Sequence, residues 1–232
     1  VLFPYGSSTI GSSVYGAADK ALVITAADAT YTIKNATITQ MPSIRCTANN
    51  TAFGSVQFTG ILKLGGDPSL LVDYYAVSAG ASIGTLFDPT KIITAPYTAT
   101  LAGSLNFFSE AGFDVSFDLG MTPIVIDGIG TVDMSLQNVG CNVSTIPVGI
   151  PENSFDTYFG SLDAGEDLAS ATLDISTATV GGLNLDIAAV QIIDVQKRFS
   201  PTENRLGQVS MSARRTFTAG APNALFTIAT VA

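Results

Sequence analysis

The sequence predicts an all-β protein, because its clearest stretch, residues 113–146, alternates strictly between apolar and polar residues. In the first run, four apolar residues are separated by polar ones: Phe113, Val115, Phe117 and Leu119 enclose Asp114, Ser116 and Asp118. The longer second run alternates Val132, Met134 and Leu136 with Asp133, Ser135 and Gln137. Period-two alternation buries one face of a strand and exposes the other. We therefore expect an acidic, cation-free sheet surface over an apolar core, with strand breaks at 120–123 and 127–130.

Composition supports the same class. The chain has 232 residues, of which 47% are hydrophobic and only 12% charged. This length suits one large all-β domain or two small ones, and the apolar content excludes a disordered chain. Low charge is typical of extracellular or assembled β-proteins that bury surface against copies of themselves. An ordinary monomeric sandwich is the alternative.

The net charge of −9 is unevenly distributed. Thirteen acidic residues and no Lys or Arg lie between Lys91 and Lys197. Direct nucleic-acid binding requires the opposite, a basic patch that releases counterions from phosphate. An acidic surface repels DNA and membranes, although a face kept soluble by charge is the simpler explanation.

In chain order, residues 1–20 form a predicted N-terminal arm. Its Gly and Ser pairs interrupt regular structure, and its apolar anchors are Leu2, Phe3, Tyr5 and Tyr15. Such an arm docks on its own domain or on a neighbouring subunit. The remaining residues, 21–232, form the β domain, with further strands predicted at 22–25, 31–41, 55–64, 171–175, 183–195, 207–218 and 224–229.

Two segments interrupt this series of strands. Residues 78–105 are weakly periodic, which predicts a long loop or hairpin that reaches outward. Residues 153–162 predict a short helix, since Phe155, Tyr158, Phe159 and Leu162 recur at helical spacing after Pro151. No apolar run approaches the ~20 residues needed to span a bilayer.

The sequence has a weak internal similarity, in which matching residues lie about 154 positions apart. Ile33 and Ile38 correspond in this way to Ile187 and Ile192. The similarity is either a coincidence or a duplication whose halves are about 21–110 and 111–232.

Catalytic chemistry finds little support. The chain has no histidine, which excludes Ser-His and Cys-His pairs and histidine-ligated zinc. Asp114 or Asp118 facing Asp133 could form a glycosidase pair, but there is no tryptophan for sugar stacking. We expect no enzyme activity, no cofactor and no metal site. Cys46 and Cys141 are expected to be reduced and buried.

Several short strings resemble the major tail (tail tube) proteins of long-tailed bacteriophages. The first is Glu-Ala-Gly-Phe at 110–113, together with the strand that follows it and the string at 127–133. The second is Arg-Arg-Thr-Phe-Thr-Ala-Gly at 214–220, which leads to residues 224–226. The Met41-Pro42 loop and residues 51–54 add to the resemblance, which covers about two thirds of the chain.

The resemblance implies a β-sandwich or rolled barrel with a flanking helix, a long loop and an N-terminal arm. It also implies rings of three or six copies stacked into a virion tail tube, with tape-measure, tail terminator and baseplate proteins as partners and DNA passing through. Asp114, Asp118 and Asp133 would line the lumen. The alternatives are a secreted adhesin or glycan-binding module, or another virion component such as a terminator, decoration or baseplate protein.

Overall fold

The computed structural model describes residues 9–10, 20–25, 29–48, 50–60, 75–79, 95–128, 130–150, 171–179, 182–200, 203–214, 217–218, 221–222 and 225–230. Every regular element in these ranges is a β-strand, which confirms the all-β prediction. The same ranges contain no helix long and apolar enough to cross a membrane. The predicted helix at 153–162 lies outside the described residues.

The strands are numbered in chain order. The first eight are β1 (Thr9–Ile10), β2 (Lys20–Thr25), β3 (Ala29–Gln40), β4 (Ile44–Thr47), β5 (Asn50–Phe53), β6 (Gln57–Gly60), β7 (Tyr75–Ala79) and β8 (Tyr97–Leu101). The others are β9 (Leu105–Ile126), β10 (Gly130–Val148), β11 (Ala171–Thr177), β12 (Leu183–Ser200), β13 (Glu203–Ala213), β14 (Phe217–Thr218), β15 (Ala221–Pro222) and β16 (Phe226–Thr230).

Six strands close into a rolled barrel. They pair in the cyclic order β8-β9-β10-β13-β12-β11, and β11 returns to β8. Every pairing in this ring is antiparallel. Closure pairs each of these six strands on both sides along the barrel, which leaves free edges only in the segments that extend beyond it.

The inside of the barrel is a solid apolar core. Its fully buried side chains include Leu101, Phe107, Phe113, Leu173, Ile175, Leu185, Ile187 and Met211. A barrel of about eight strands is just wide enough for side chains to fill it, and this barrel has six strands. No conduit therefore runs through the barrel itself.

Two additions flank the barrel. β4 pairs with β9 at Val115 to Phe113, and β5 pairs with β4, so this pair extends the wall beside β9. A separate sheet contains β2, β3 and β6, with β7 also paired to β3. It is attached to the main core by Ile38 and Met41, which are both buried.

A buried tyrosine hydroxyl joins three segments of the chain at the barrel seam. The Tyr97 hydroxyl lies 2.6 Å from the Thr51 hydroxyl and accepts a hydrogen bond from the Leu183 backbone N–H at 3.2 Å. It thereby links β8, β5 and the start of β12.

The expectation that residues 78–105 reach outward is wrong for their C-terminal part. Residues 97–101 form β8, whose Tyr97, Ala99 and Leu101 are buried. The alternation is genuine, but the strand is short and its central inward residue is alanine, which gives a weak hydrophobic signal. Residues 80–94 lie outside the described part of the chain.

The predicted break at 120–123 is also wrong, since β9 continues through it to Ile126. Pro123 is paired with Met134 of β10. Among the described residues no other strand lies against this part of β9, and proline is tolerated where a strand forms an edge. Residues 119–126 and 130–139 therefore form a two-stranded extension of the barrel, here called the ribbon.

The two cysteines are free and buried, as predicted. Burial raises the pKa of the Cys46 thiol to about 12, with a smaller contribution from the Asp114 charge, and burial alone raises the pKa of Cys141 to about 12. Both are consequently protonated, unreactive thiols at neutral pH.

Replacing either cysteine with alanine is expected to lower the free energy of unfolding by about 1–3 kcal/mol, since each replacement removes a small buried group. Urea denaturation measures the cost. In the native wild type, iodoacetamide should modify neither thiol until urea is added. Rapid alkylation of the folded protein, or an intact mass two hydrogens lighter without reductant, would contradict the assignment.

Candidate functional site

The acidic face predicted on β9 is present on the outside of the barrel. Phe113 and Val115 are buried while Asp114, Ser116 and Asp118 are exposed, so the predicted alternation is confirmed. On β10 the residues opposite these three are Ser144, Asn142 and Gly140. The face is thus built from carboxylates, hydroxyls and an amide.

Asp114 does not stand on a cation-free surface. β4 places Arg45 directly opposite it, with the Arg45 Nε 3.7 Å from the Asp114 Oδ1. Arg45 also donates from Nη2 to the backbone oxygen of Ala111 at 3.3 Å. Both partners of the ion pair are more than half exposed, so it contributes little to stability. The prediction of an acidic face without cations is therefore wrong at this position.

Asp118 has a different environment. Its Oδ2 accepts a hydrogen bond of 2.6 Å from the Asn138 side-chain amide on β10. Gly140 is its partner across the strands, and a Cβ there would lie only 3.3 Å from the Asp118 Cβ. Among the described residues, no Lys or Arg forms an ion pair with Asp118.

Asp133 is brought to the same face by the strand register. It pairs with Ile124, which lies an even number of residues after Asp114 and Asp118 on the continuous strand β9. The three acids are therefore in line along the β9–β10 hairpin. The side chain of Asp133 lies outside the described residues, and the proposed lumen role of all three acids stays a prediction.

A shallow depression of about 490 Å³ occupies this face beside Asp114. Its polar lining includes Ser43, Arg45, Asp114, Ser116, Asn142, Ser144 and Ser210. Gln208 donates to the Ser144 hydroxyl at 2.6 Å. A register shift in β12 between Ile192 and Asp194 leaves Ile193 half exposed at its rim.

The predicted arm is described at only two residues. Thr9 and Ile10 pair with Thr227 and Phe226 of β16, so this part of the arm adds a strand to the edge of the chain's own sheet. The four predicted anchors, Leu2, Phe3, Tyr5 and Tyr15, lie outside the described residues.

Sequence patterns alone missed Arg45 as part of the site. A signal was present, because Ile44 and Cys46 are buried on either side of Arg45 in the short strand β4. The exposed residues Ile124 and Val125 of the ribbon were also missed, because the expected break at 120–123 hid the continuity of β9.

A second acidic position lies elsewhere on the barrel surface. Asp174 of β11 and Asp186 of β12 are direct cross-strand partners. Partial burial and then the Asp186 charge raise the pKa of Asp174 above its usual value. One of its oxygens, Oδ1, is buried and makes no hydrogen bond to any of the described residues. Within the described part of the chain, no three Asp, Glu, Cys or His residues lie close enough together to hold a metal ion.

Replacing Asp186 with asparagine is expected to raise the free energy of unfolding at pH 7 by about 0.5 kcal/mol, because like charges directly opposite each other are destabilising. Asp174 binds its proton more tightly in the folded state, so the wild type gains stability as the pH falls through the raised pKa. The difference between variant and wild type should therefore shrink toward pH 4. Urea denaturation across this range measures it.

Asp194 provides the control, since it is exposed and its cross-strand partner is Ser210. Asp194→Asn should leave the unfolding free energy almost unchanged at every pH. An equal gain from both substitutions would mean that overall net charge, and not the Asp174–Asp186 pair, causes the effect.

Comparison with known proteins adds little to this geometry. No protein-family model matches the chain, and no curated protein matches it. Among solved structures, a double mutant of the Hcp1 protein from the E. coli EAEC 042 pathovar is similar at 15% sequence identity, over 58% of this chain and 98% of that chain. The TM-score is 0.28, which is too low to support an inference about fold or function.

Proposed function

We propose that this protein is a structural subunit that assembles into stacked rings, and that the rings form the tail tube of a bacteriophage. The observation that carries the proposal is the ribbon. Ile124 and Val125 are consecutive residues on it with 46% and 61% of their surface exposed. Because side chains alternate along a strand, both faces of the ribbon present an apolar residue to solvent.

An isolated two-stranded ribbon is only marginally stable in water, and exposed apolar strands favour association. Packing against other copies of the chain would cover these two exposed side chains. The filled barrel core also favours assembly. Because the barrel has no channel of its own, several subunits would have to enclose the conduit between them. The sequence resemblance supports rings of three or six copies, a virion location, and tape-measure, terminator and baseplate proteins as partners.

In this tube, the outer face of β9 would line the lumen. Asp118 is negatively charged, and the Arg45–Asp114 pair is neutral overall, so the lining would be weakly acidic and hydroxylated. A conduit for DNA must not bind DNA, and such a surface offers phosphates no attractive site. The role is structural, with no reaction to catalyse.

Replacing Ile124 and Val125 with serine tests the proposal. The wild type should form rings or tubes in electron micrographs and sediment as large species. The Ile124→Ser/Val125→Ser variant should remain monomeric with an unchanged circular dichroism spectrum, because its apolar contact is lost.

The matched control is Val23→Ser/Ile24→Ser on β2, where two consecutive apolar residues are similarly exposed. It should assemble as the wild type does. A wild type that stays monomeric at millimolar concentration would exclude the tube. Assembly by the ribbon variant would show that another surface forms the contacts.

A secreted glycan-binding module is the second candidate, and the depression beside Asp114 is the observation that favours it. Its serine and asparagine side chains are suited to sugar hydroxyls. Binding to a glycan array by the monomer, abolished by Asn142→Ala, would favour this function over the tube.

A further inference from the structure

The turn of the ribbon, which joins β9 to β10, begins with Asp127 and Gly128, and both residues are exposed. The Gly128 φ is +76°, and nothing lies within 4 Å of the position that a Cβ on this residue would take. Among the described residues, the backbone hydrogen bonds of turns and loops include none that the Gly128 N–H donates. The amide nitrogen of Gly128 is therefore sterically open and has no backbone acceptor in this part of the chain.

Asp127 is the one Asp or Asn in the whole sequence that glycine follows. Elsewhere on β9, Asp114 precedes Val115 and Asp118 precedes Leu119. A branched side chain on the following residue crowds its own amide nitrogen, and glycine has no side chain to do so. Asp114 and Asp118 also belong to paired stretches of β9, whose backbone is held extended by its neighbours. Of these three acids, Asp127 therefore has the most accessible amide nitrogen beside its carboxyl group.

The carboxyl group of an aspartate and the amide nitrogen of the next residue can react without any other partner than water. The Gly128 nitrogen attacks Cγ of Asp127, a new C–N bond forms, and the carboxyl hydroxyl leaves with the amide proton as water. The product is a five-membered succinimide ring. Water then opens the ring at Cγ, which restores aspartate, or at the main-chain carbonyl carbon of Asp127, which produces isoaspartate. One water is released and one is consumed, so the reaction balances.

We infer that Asp127 is a site of spontaneous isomerisation to isoaspartate in the folded protein. The inference goes beyond the proposed function and does not depend on assembly. Isoaspartate inserts one additional carbon atom into the main chain before Gly128 and leaves the α-carboxylate as a branch. The turn is closed by the pairing of Ile126 with Gly130, so the added atom must distort it. The ribbon extends beyond the barrel, and we expect the barrel to keep its fold.

Peptide mapping of the complete chain tests the inference. The folded protein is incubated for weeks at neutral pH and physiological temperature, then unfolded and cut with protease Asp-N, which cleaves before aspartate but not before isoaspartate. Fresh protein should yield the fragments 118–126 and 127–132, because aspartates lie at 118, 127 and 133. Aged protein should lose both in favour of the uncut fragment 118–132. Cleavage before Asp118 and Asp133 should remain complete, which makes these two acids internal controls.

Two substitutions at the exposed turn should change the rate in opposite directions. Asp127→Glu should abolish the reaction, since glutamate would have to close a less favourable six-membered ring. Asp127→Asn should form isoaspartate several-fold faster, since a neutral amide carbonyl is attacked more readily than an ionised carboxylate and ammonia leaves instead of water. Protein isoaspartate methyltransferase, which transfers a methyl group to isoaspartate, measures the amount formed in all three proteins. Their circular dichroism spectra should be the same before incubation.

Complete cleavage before Asp127 in the aged wild type would overturn the inference. Equal methylation of the wild type and Asp127→Glu would place the isoaspartate elsewhere in the chain. Methylation that appears only when urea is present during the incubation would show that the folded turn protects the pair, which also contradicts the inference.

Discussion

Replacing Gly112 with alanine is expected to lower the free energy of unfolding by roughly 2–4 kcal/mol. Gly112 has a φ of +92°, in the region that favours glycine. A Cβ on this residue would lie 2.6 Å from the Cys46 carbonyl oxygen and 2.6 Å from the Thr47 methyl carbon. Backbone strain and a steric clash with β4 therefore add together. Urea denaturation measures the loss.

Gly112 occupies the corner where β9 changes partners. Residues before it pair with β8, and Phe113 to Val115 pair with β4. Ser109 and Thr145 donate side-chain hydrogen bonds to the Gly112 carbonyl oxygen, which fixes the corner. A shift here would displace β4 and with it Arg45 from Asp114.

Gly103 is the matched control, because its φ is +67° but nothing lies within 4 Å of the position of its Cβ. Gly103→Ala introduces backbone strain without a clash and should cost about 1 kcal/mol. Equal losses for the two alanine variants would show that the close approach of β4 is not what requires glycine at 112.

Replacing Asp114 and Asp118 with lysine is expected to turn the assembled tube into one that retains DNA. The change leaves Arg45 without its partner and adds two cations to the same face in every subunit. Binding to phosphates should then fall steeply with salt, as counterion release requires. The free energy of unfolding should change by under about 0.5 kcal/mol per residue, since both positions are exposed.

Retention of labelled DNA by purified tubes at several salt concentrations measures this effect. The control is Asp186→Lys/Asp194→Lys, which adds the same charge to β12, two strands away from β10. DNA retained equally by both variants, or acids found on the tube exterior, would exclude the lumen assignment. Asp133 is left unchanged because its side chain lies outside the described residues.

The strands that could be predicted from sequence are those with large inward residues. In β9 the alternation of Phe113 and Val115 with Asp114 and Ser116 shows which face is buried. Charged residues cost far more to bury than apolar ones. β8 was missed because Ala99 gives little contrast with its neighbouring threonines. Local periodicity depends on that contrast and disappears with it.

Long-range pairing explains the other omissions. Arg45 reaches Asp114 only because β4 pairs with β9, and nothing in either segment specifies that register. The opposite directions of the β9–β10 and β12–β13 hairpins likewise depend on the β10–β13 pairing.

Closure of the barrel also governs how the chain must fold. The β9–β10 hairpin joins adjacent segments, whereas β8 pairs with β11, and Tyr97 lies opposite Thr177. Pairings between segments so distant in sequence form slowly, because the loop entropy is lost before any contact compensates for it. During synthesis the ribbon is therefore complete while β11 to β13 are still missing. Its apolar residues and the unfinished core are then exposed together, so slow synthesis at low temperature should favour soluble, closed barrels over aggregates.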